Sequence, residues 1–420
     1  MARDVLELAD KLWRGEASTD EHHPVTQPQG FADLGGGTAF LASLGNVCAL
    51  DTDDGLVLVD TGNEHAARQN HEALRAWSPH QLHTAVYTHG HVDHVFGVGP
   101  FEEEADAEGW TAPRVLAHEH LPHRFDRYIL TAGYNAVVNQ RQFRIPGLGW
   151  PTEYRYPDET YASRHDIDVG GERFELHHAK GETDDATWVW VPGRRTLCVG
   201  DLFIWASPNC GNPQKVQRYP REWAEALRSM LPLEAEVMLS GHGFPVVGAD
   251  RVRQALTDTI ELLDSLVDQT LALMNDGARL NDIIHSVEAP AHLLERPYLR
   301  PVYDEPEFVV QNIWRLYGGW YDGNPATLKP APEAALAGEL ADLAGGAGHL
   351  AARAVALAAE GELRLAGHLV ELAALAAPED VGVHRARAEV FGRRAAEERS
   401  TMAKGIFGWA EHESRERAGE

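Results

Sequence analysis

Cysteine and basic residues are both scarce in this sequence of 420 residues. Three cysteines, Cys48, Cys198 and Cys210, are too few and odd in number for a disulfide framework, which favours a reducing compartment. The 37 Lys and Arg residues against 64 Asp and Glu residues give a formal net charge of −27. Because nucleic-acid phosphates need a basic surface, this charge argues against a nucleic-acid partner and against a nuclease.

Long apolar runs are also missing. No run approaches the ~20 apolar residues that span a bilayer. The opening stretch MARDVLELADKLWRGEAST alternates charged and apolar residues and lacks the apolar core of a secretion signal. We therefore expect a cytoplasmic globular enzyme with no membrane partner. The length predicts two domains rather than one.

Short strands and helices alternate in the first part of the chain. Apolar residues 55–60 predict a strand, 63–77 a helix, and 82–94 a strand that runs into a loop. Further strands are predicted over 173–178 and 186–199. This alternation indicates a layered α/β domain.

Two other segments have a different character. Residues 132–163 are rich in Gly, Pro, Tyr and Trp and are predicted to form a long loop or lid. Pro220 is suited to the first turn of a helix. From about Arg251 onward the chain is Ala-, Leu- and Glu-rich with helical spacing, which predicts an all-α C-terminal region.

The stretch YTHGHVDHVFG crowds histidines and an aspartate into one turn after a predicted strand. His89 and His91 can point to one metal ion, and Asp93 and His94 to a second, since imidazole and carboxylate groups suit zinc and related metals. Gly90 lets the backbone turn between them without a Cβ clash. A surface histidine cluster is the competing interpretation.

Two metal ions need more ligands than this turn supplies. Three later residues follow glycines at the ends of predicted strands: Glu182, Asp201 and His242. Taken alone, Glu182 is also typical of a solvated turn and Asp201 of a helix cap. Their joint occurrence in this order favours a metal site.

The ordered motifs resemble those of the metallo-β-lactamase superfamily. They are Asp60-Thr61-Gly62, THGHVDH at 88–94, GET at 181–183, GD at 200–201 and SGHG at 240–243. The resemblance implies a four-layer αββα sandwich with a dinuclear metal site between its two sheets.

The resemblance also implies a ligand for each metal. The first ion is expected on His89, His91 and Glu182, the second on Asp93, His94 and His242, with Asp201 bridging both and Asp60 supporting the ligand loop from behind. Many family members have histidine where this chain has Glu182. Asp184 and Asp185 are nearby alternatives for that carboxylate ligand.

Residues 307–330, EFVVQNIWRLYGGWYDGNPATLKP, and the Ala-rich helices after them resemble the dimerisation domain of the alkyl sulfatase subgroup. The stretch AGYNAVVNQRQF at 132–143 resembles the segment before that subgroup's substrate region. The likeness implies a metallo-β-lactamase-like catalytic domain over 1–250, an α-helical dimerisation domain over 251–420, and a homodimer.

The expected activity is hydrolysis of an alkyl sulfate ester by a metal-bound hydroxide, with Asp93 orienting the nucleophile and taking a proton. Two divalent ions are expected, with zinc favoured over manganese or iron. The substrate is expected to be anionic with an apolar tail. The candidate substrate-binding residues are Arg218, Lys215, Asn209, Tyr134, Asn139 and Arg141. The alternatives are a lactonase- or thioesterase-like hydrolase and a non-catalytic metal-binding scaffold.

Overall fold

The computed structural model describes residues 5–27 and 30–420. The strands of this part of the chain are β1 Gly30–Gly35, β2 Thr38–Ala42, β3 Val47–Thr52, β4 Gly55–Val59, β5 Leu82–Val86, β6 Arg114–His118, β7 Glu159–Tyr161, β8 Arg164–Val169, β9 Glu172–Ala179, β10 Ala186–Val191, β11 Thr196–Ile204, β12 Val237–His242 and β13 Val246–Val247.

The helices before residue 319 are α1 Val5–Trp13, α2 Ala67–Trp77, α3 Gly99–Glu108, α4 Leu121–Leu130, α5 Ala132–Phe143, α6 Pro220–Met230, α7 Ala249–Asn275, α8 Leu280–Ile284, α9 Ala291–Leu294 and α10 Pro306–Gly318. The later helices are α11 Pro325–Leu328, α12 Glu333–Ala344, α13 Ala347–Ala359, α14 Leu363–Ala376, α15 Val381–Glu397 and α16 Thr401–Ala418. None of the described helices is both long and apolar enough to cross a membrane.

The chain divides into two compact units. The first comprises Met1–Ala132 and Pro151–Gly319, and the second comprises Gly133–Trp150 and Trp320–Glu420. Helices α7 to α10 therefore cluster with the sheets, since the apolar faces of α7 and α10 belong to the same core. The predicted division of the sequence at residue 250 stays a prediction.

Two sheets form the centre of the first unit. Strands β1 to β7 make one sheet in chain order, and the second has the order β13-β12-β11-β10-β9-β8. Strand β4 lies at the change from antiparallel to parallel pairing, because it pairs antiparallel with β3 and parallel with β5. Strand β11 has the corresponding place in the second sheet, antiparallel to β10 and parallel to β12.

The two faces of the first sheet pack in two different cores, as the alternating side chains of β4 show. Val57 and Val59 pack in the core shared with the second sheet, whereas Leu56 and Leu58 pack in a core with helices α2, α3 and α4. Helices α6, α7 and α10 contribute to the core of the second sheet. The predicted four-layer αββα sandwich, followed along the chain by an all-α region, is confirmed.

The predicted loop over 132–163 is wrong in its first third. Residues Ala132–Phe143 form helix α5, because this stretch has no proline and only one glycine, Gly133, near its start. The aromatic and proline-rich residues from 144 to 158 remain irregular. Pro220 begins α6 as predicted, and Trp223, Leu227 and Met230 are buried on one face of it.

Candidate metal centre

Asp60 organises the histidine loop from behind. It follows the last residue of β4, and its backbone has φ of 60°, a left-handed conformation that few non-glycine residues adopt. Its carboxylate accepts hydrogen bonds from the amide and the hydroxyl of Thr88, both at 2.7 Å, and its Oδ2 lies 2.8 Å from Nδ1 of His94. This bond occupies Nδ1 and leaves Nε2 of His94 for a ligand.

The first group of converging side chains comprises His89, His91, Glu182 and Asp201, each with one metal-binding atom within 4.8 Å of the others. His89 Nε2 lies 2.8 Å from His91 Nδ1, and that nitrogen lies 3.6 Å from Glu182 Oε1. Residues 87–98 after β5, the turn after β9 and strand β11 bring these four residues together.

The second group comprises Asp93, His94 and His242. His242, the last residue of β12, has its Nε2 3.4 Å from Asp93 Oδ2 and 3.3 Å from Asp201 Oδ2. The other oxygen of Asp201 lies 3.4 Å from Nε2 of His94. In the first group, Oδ2 of Asp201 lies 3.8 Å from Nε2 of His89. Asp201 therefore lies near members of both groups, which is the position that a bridging ligand needs.

Several of these buried atoms lack a hydrogen-bond partner. They are Nε2 of His94, Oε2 of Glu182, Oδ1 of Asp201 and Nδ1 of His242. Buried polar atoms are nearly always satisfied, so four unsatisfied atoms on converging side chains fit a site for divalent ions.

The charge states of the histidines also suit metal binding. Burial, aided by His94, lowers the pKa of His89 to about 4. Burial likewise holds the pKa of His91 well below its usual value. Both imidazoles are therefore neutral near pH 7, which is the form that binds a metal ion.

Asp184 and Asp185, the alternatives to Glu182, belong to neither group. Asp185 is fully buried, and its Oδ1 accepts a hydrogen bond from Arg124 Nε at 2.9 Å while its Oδ2 accepts one from the amide of Gly90 at 3.0 Å. Asp184 contacts the same guanidinium group. Both oxygens of Asp185 are thus occupied by a clamp on the turn between His89 and His91.

The role of Arg124 as the partner of Asp185 was not predicted from the sequence. It lies on the buried face of α4 between Leu121 and Tyr128. An arginine at helical spacing within an apolar face was the available signal, because such a charge needs a buried partner.

Glu182 has a similar cation beside it. Its Oε1 accepts from Nη1 of Arg218 at 2.5 Å and from Nδ2 of Asn209 at 2.5 Å. Arg218 also donates to the carbonyl of Asn209. Both residues therefore stand next to the predicted ligand, and their contact with a substrate stays a prediction.

The other predicted substrate residues lie in both units of the chain. Lys215 is half-buried, and burial together with Arg218 lowers its pKa to about 8. Tyr134, Asn139 and Arg141 all lie on α5 in the second unit, where Tyr134 is exposed and Asn139 donates to the carbonyl of Asn135 at 2.7 Å. Their roles stay predictions.

A third histidine group, His118, His120 and His178, was not predicted. The rings of His118 and His178 stack with centroids 3.6 Å apart and planes 7° from parallel. In-plane lone pairs of two stacked rings do not meet at one point. His118 Nε2 lies 2.8 Å from the carbonyl oxygen of Ala162 and His178 Nε2 lies 2.9 Å from that of Asp184, which accounts for these rings without a metal ion.

Two family models match the chain. Residues 42–242 match the metallo-beta-lactamase superfamily, and residues 279–417 match the alkyl sulfatase dimerisation family.

Two curated relatives match most of the chain at modest identity. A linear primary-alkylsulfatase of a Pseudomonas strain is 28% identical over 323 residues, which cover 71% of this chain and 60% of the relative. An alkyl/aryl-sulfatase of Saccharomyces cerevisiae is 25% identical over 372 residues, which cover 82% of this chain and 56% of the relative. The chain thus spans somewhat over half the length of these proteins.

One solved structure supports the fold over nearly the whole chain. It is the stereoselective inverting sec-alkylsulfatase Pisa1 from Pseudomonas sp., with a TM-score of 0.83 and 23% identity, covering 93% of this chain and 66% of that chain. The likeness supports the fold, and the two family matches identify a metallo-β-lactamase domain over 42–242 followed by an alkyl sulfatase dimerisation domain over 279–417.

Proposed function

We propose that this protein is a metal-dependent sulfuric ester hydrolase that acts on alkyl sulfates. The single observation that carries the proposal is the pair of ligand groups joined by Asp201, which lies near His89 in the first group and near His94 and His242 in the second. The two curated relatives are both named as alkyl sulfatases, which points to the substrate class. The dimerisation match, which covers the last third of the chain, points to the same subgroup.

The ligand set assigns a task to each side chain. His89, His91 and Glu182 would hold one divalent ion, Asp93, His94 and His242 the other, and Asp201 would bridge them. Two such ions supply a water of lowered pKa and neutralise charge that develops on the ester oxygen. With nitrogen and oxygen ligands, zinc is the favoured ion and manganese and iron are the alternatives.

Asp93 is suited to orient the attacking water and take its proton. Its side chain is 22% exposed, whereas those of His94, Asp201 and His242 are each 6% exposed or less. It is the one member of the second group that reaches solvent, so a proton that it accepts has a route out of the site. This follows from general-base geometry, in which the base stands within hydrogen-bond reach of the nucleophile.

Lys215 is the cation best suited to an anionic head group. Burial lowers its pKa, and Asp93 and Glu182 act against that shift, which supports a position near the ligand groups. With a pKa of about 8, it is mostly protonated at neutral pH. An ammonium in this place would bind the sulfate of a substrate as a charge-assisted hydrogen-bond donor.

The helical second unit is proposed to pair two chains. Its sequence matches the alkyl sulfatase dimerisation family, and Trp320 and Leu343 on it are 72% and 84% exposed. Exposed large apolar side chains are typical of protein–protein contacts. A homodimer would cover such residues.

Metal removal and a substrate panel test the proposal. A chelator should abolish hydrolysis of a primary alkyl sulfate, and added Zn²⁺ or Mn²⁺ should restore it. Lactones and acyl thioesters of matched chain length provide the comparison. Faster turnover of those esters would assign the protein to another hydrolase class, and two bound ions with no turnover of any ester would favour a scaffold.

A further inference from the structure

Glu182 adds a carboxylate to the first ligand group, beside two histidines. A carboxylate there changes the charge of the first ligand group by −1 relative to a neutral imidazole. The group already includes Asp201, and the second group adds Asp93. Three carboxylates buried or half-buried around one centre repel each other unless cations offset them.

Arg218 stands against that extra charge. Both residues are buried, with side chains 3% and 4% exposed, and Nη1 of Arg218 lies 2.5 Å from Oε1 of Glu182. A buried charge is tolerated when it is paired with an opposite charge and hydrogen-bonded. The carboxylate of Glu182 meets both conditions.

The contacts on Glu182 are divided between its two oxygens. Oε1 accepts from Arg218 and from the amide of Asn209, whereas Oε2 is buried and has no hydrogen-bond partner in the described chain. Two donors on one oxygen fix the orientation of the carboxylate. The fixed carboxylate stays within the first ligand group, because the same Oε1 lies 3.6 Å from Nδ1 of His91.

Arg218 is itself held in place. It donates to the carbonyl of Asn209, and its own amide donates at 3.3 Å to Oδ1 of Asn312 on α10. The side chain of Asn312 also donates at 3.0 Å to the carbonyl of Arg218. The backbone of Arg218 is thus fixed to α10, and its guanidinium group is held by the carbonyl of Asn209 and the carboxylate of Glu182.

We infer that Arg218, with Asn209, is a positioning residue for metal binding: it aims Glu182 at the first ion and cancels its charge, so that Glu182 and Arg218 together are electrically equivalent to one neutral histidine. The inference rests on the metal centre of the proposed function. The sequence-based prediction was that Arg218 contacts the substrate. In the present inference, Arg218 affects turnover only by changing how tightly the ion is bound.

Metal stoichiometry distinguishes these two roles. Arg218→Met removes the cation at nearly the same size, and Arg218→Lys returns a charge without the planar fork. The matched control is Lys215→Met, which removes a neighbouring cation that is proposed to face the substrate. Each protein, prepared as the full chain, is dialysed against a metal buffer and its bound zinc is counted by mass spectrometry and titrated by calorimetry.

Arg218→Met should lose one of two ions, through a 10- to 100-fold weaker affinity (roughly what loss of an outer partner costs). Arg218→Lys should recover part of that affinity, and Lys215→Met should bind both ions as the natural protein does. Two ions bound with unchanged affinity by Arg218→Met, with only KM raised, would overturn the inference. Because the readout is bound metal, a protein that proves inactive on sulfates still tests it.

A folding defect in Arg218→Met would leave this count ambiguous, and a double variant resolves that case. Glu182→Gln/Arg218→Met removes both charges and should melt at a higher temperature than Arg218→Met in a chelator, since removing both partners avoids a lone buried charge. A double variant no more stable than Arg218→Met would show that the two charges are not coupled and would also contradict the inference.

Discussion

Two buried arginine–carboxylate pairs flank the histidine loop, and they differ in what remains free. In the pair Arg124–Asp185, Oδ1 accepts from the guanidinium and Oδ2 from the amide of Gly90. In the pair Arg218–Glu182, the guanidinium contacts Oε1, and Oε2 has no partner in the described chain. Both oxygens of Asp185 are used in hydrogen bonds within the protein, whereas one oxygen of Glu182 has no such bond.

The pKa values of the two carboxylates shift in opposite directions. Burial raises the pKa of Asp185, but Arg124 and the hydrogen bonds outweigh it and hold the pKa below its usual value. For Glu182, burial prevails over Arg218 and raises the pKa well above its usual value. Asp185 is thus stable as an anion by itself, whereas Glu182 needs a further cation, which is how a ligand is expected to behave.

Replacing the free carboxylate should have the largest effect. Glu182→Gln removes the charge but keeps the shape, and we expect one bound ion to be lost and kcat/KM to fall about 1000-fold, or about 4 kcal/mol. Measured turnover of an alkyl sulfate and bound metal check this. Glu225→Gln, on the exposed face of α6, is the control and should match the natural protein. Full metal content in Glu182→Gln would refute its ligand role.

Replacing the clamp carboxylate should instead reduce stability. Asp185→Asn leaves the buried Arg124 without its counter-charge, and we expect the free energy of unfolding to fall by about 3–5 kcal/mol. Folded protein should still bind both ions, because the oxygens of Asp185 point at Gly90 and Arg124. Denaturant unfolding and metal analysis are the two measurements.

Asp184→Asn is the matched control for the clamp. Asp184 is 42% exposed and contacts the same arginine, so its loss should cost at most about 1 kcal/mol. Loss of an ion in Asp185→Asn with unchanged stability would reverse the roles assigned to the two pairs.

Acid should produce the smallest of these effects, and comparison with Asp185→Asn isolates the part that comes from Asp185. Its folded-state pKa lies below the unfolded value of about 4, so its contribution to stability is present above that pH and is lost as pH falls through the folded value. The difference in unfolding free energy between the natural protein and Asp185→Asn should be constant above pH ~5 and shrink below pH ~4. A difference that grows in acid would contradict the direction of this shift.

Much of the candidate site was predictable because its residues follow strands. His89, His91, Asp93 and His94 occupy one turn, and Glu182, Asp201 and His242 stand beside glycines at the ends of apolar segments. The alternation of apolar strands with amphipathic helices predicted a layered α/β domain, and the resemblance of the ordered motifs implied its four layers. The helix Ala132–Phe143 was not, because its aromatic and amide residues resemble those of the irregular chain that follows.

By itself, the sequence determined which residue types are available for the two ligand groups and in what order they come along the chain. Only the tertiary structure brings Glu182, and neither Asp184 nor Asp185, into the first group of converging side chains. The physical reason is the direction in which each carboxylate is held. Arg124 and Gly90 hold Asp185 behind the histidine loop, whereas Arg218 and Asn209 hold Glu182 with its Oε1 3.6 Å from Nδ1 of His91.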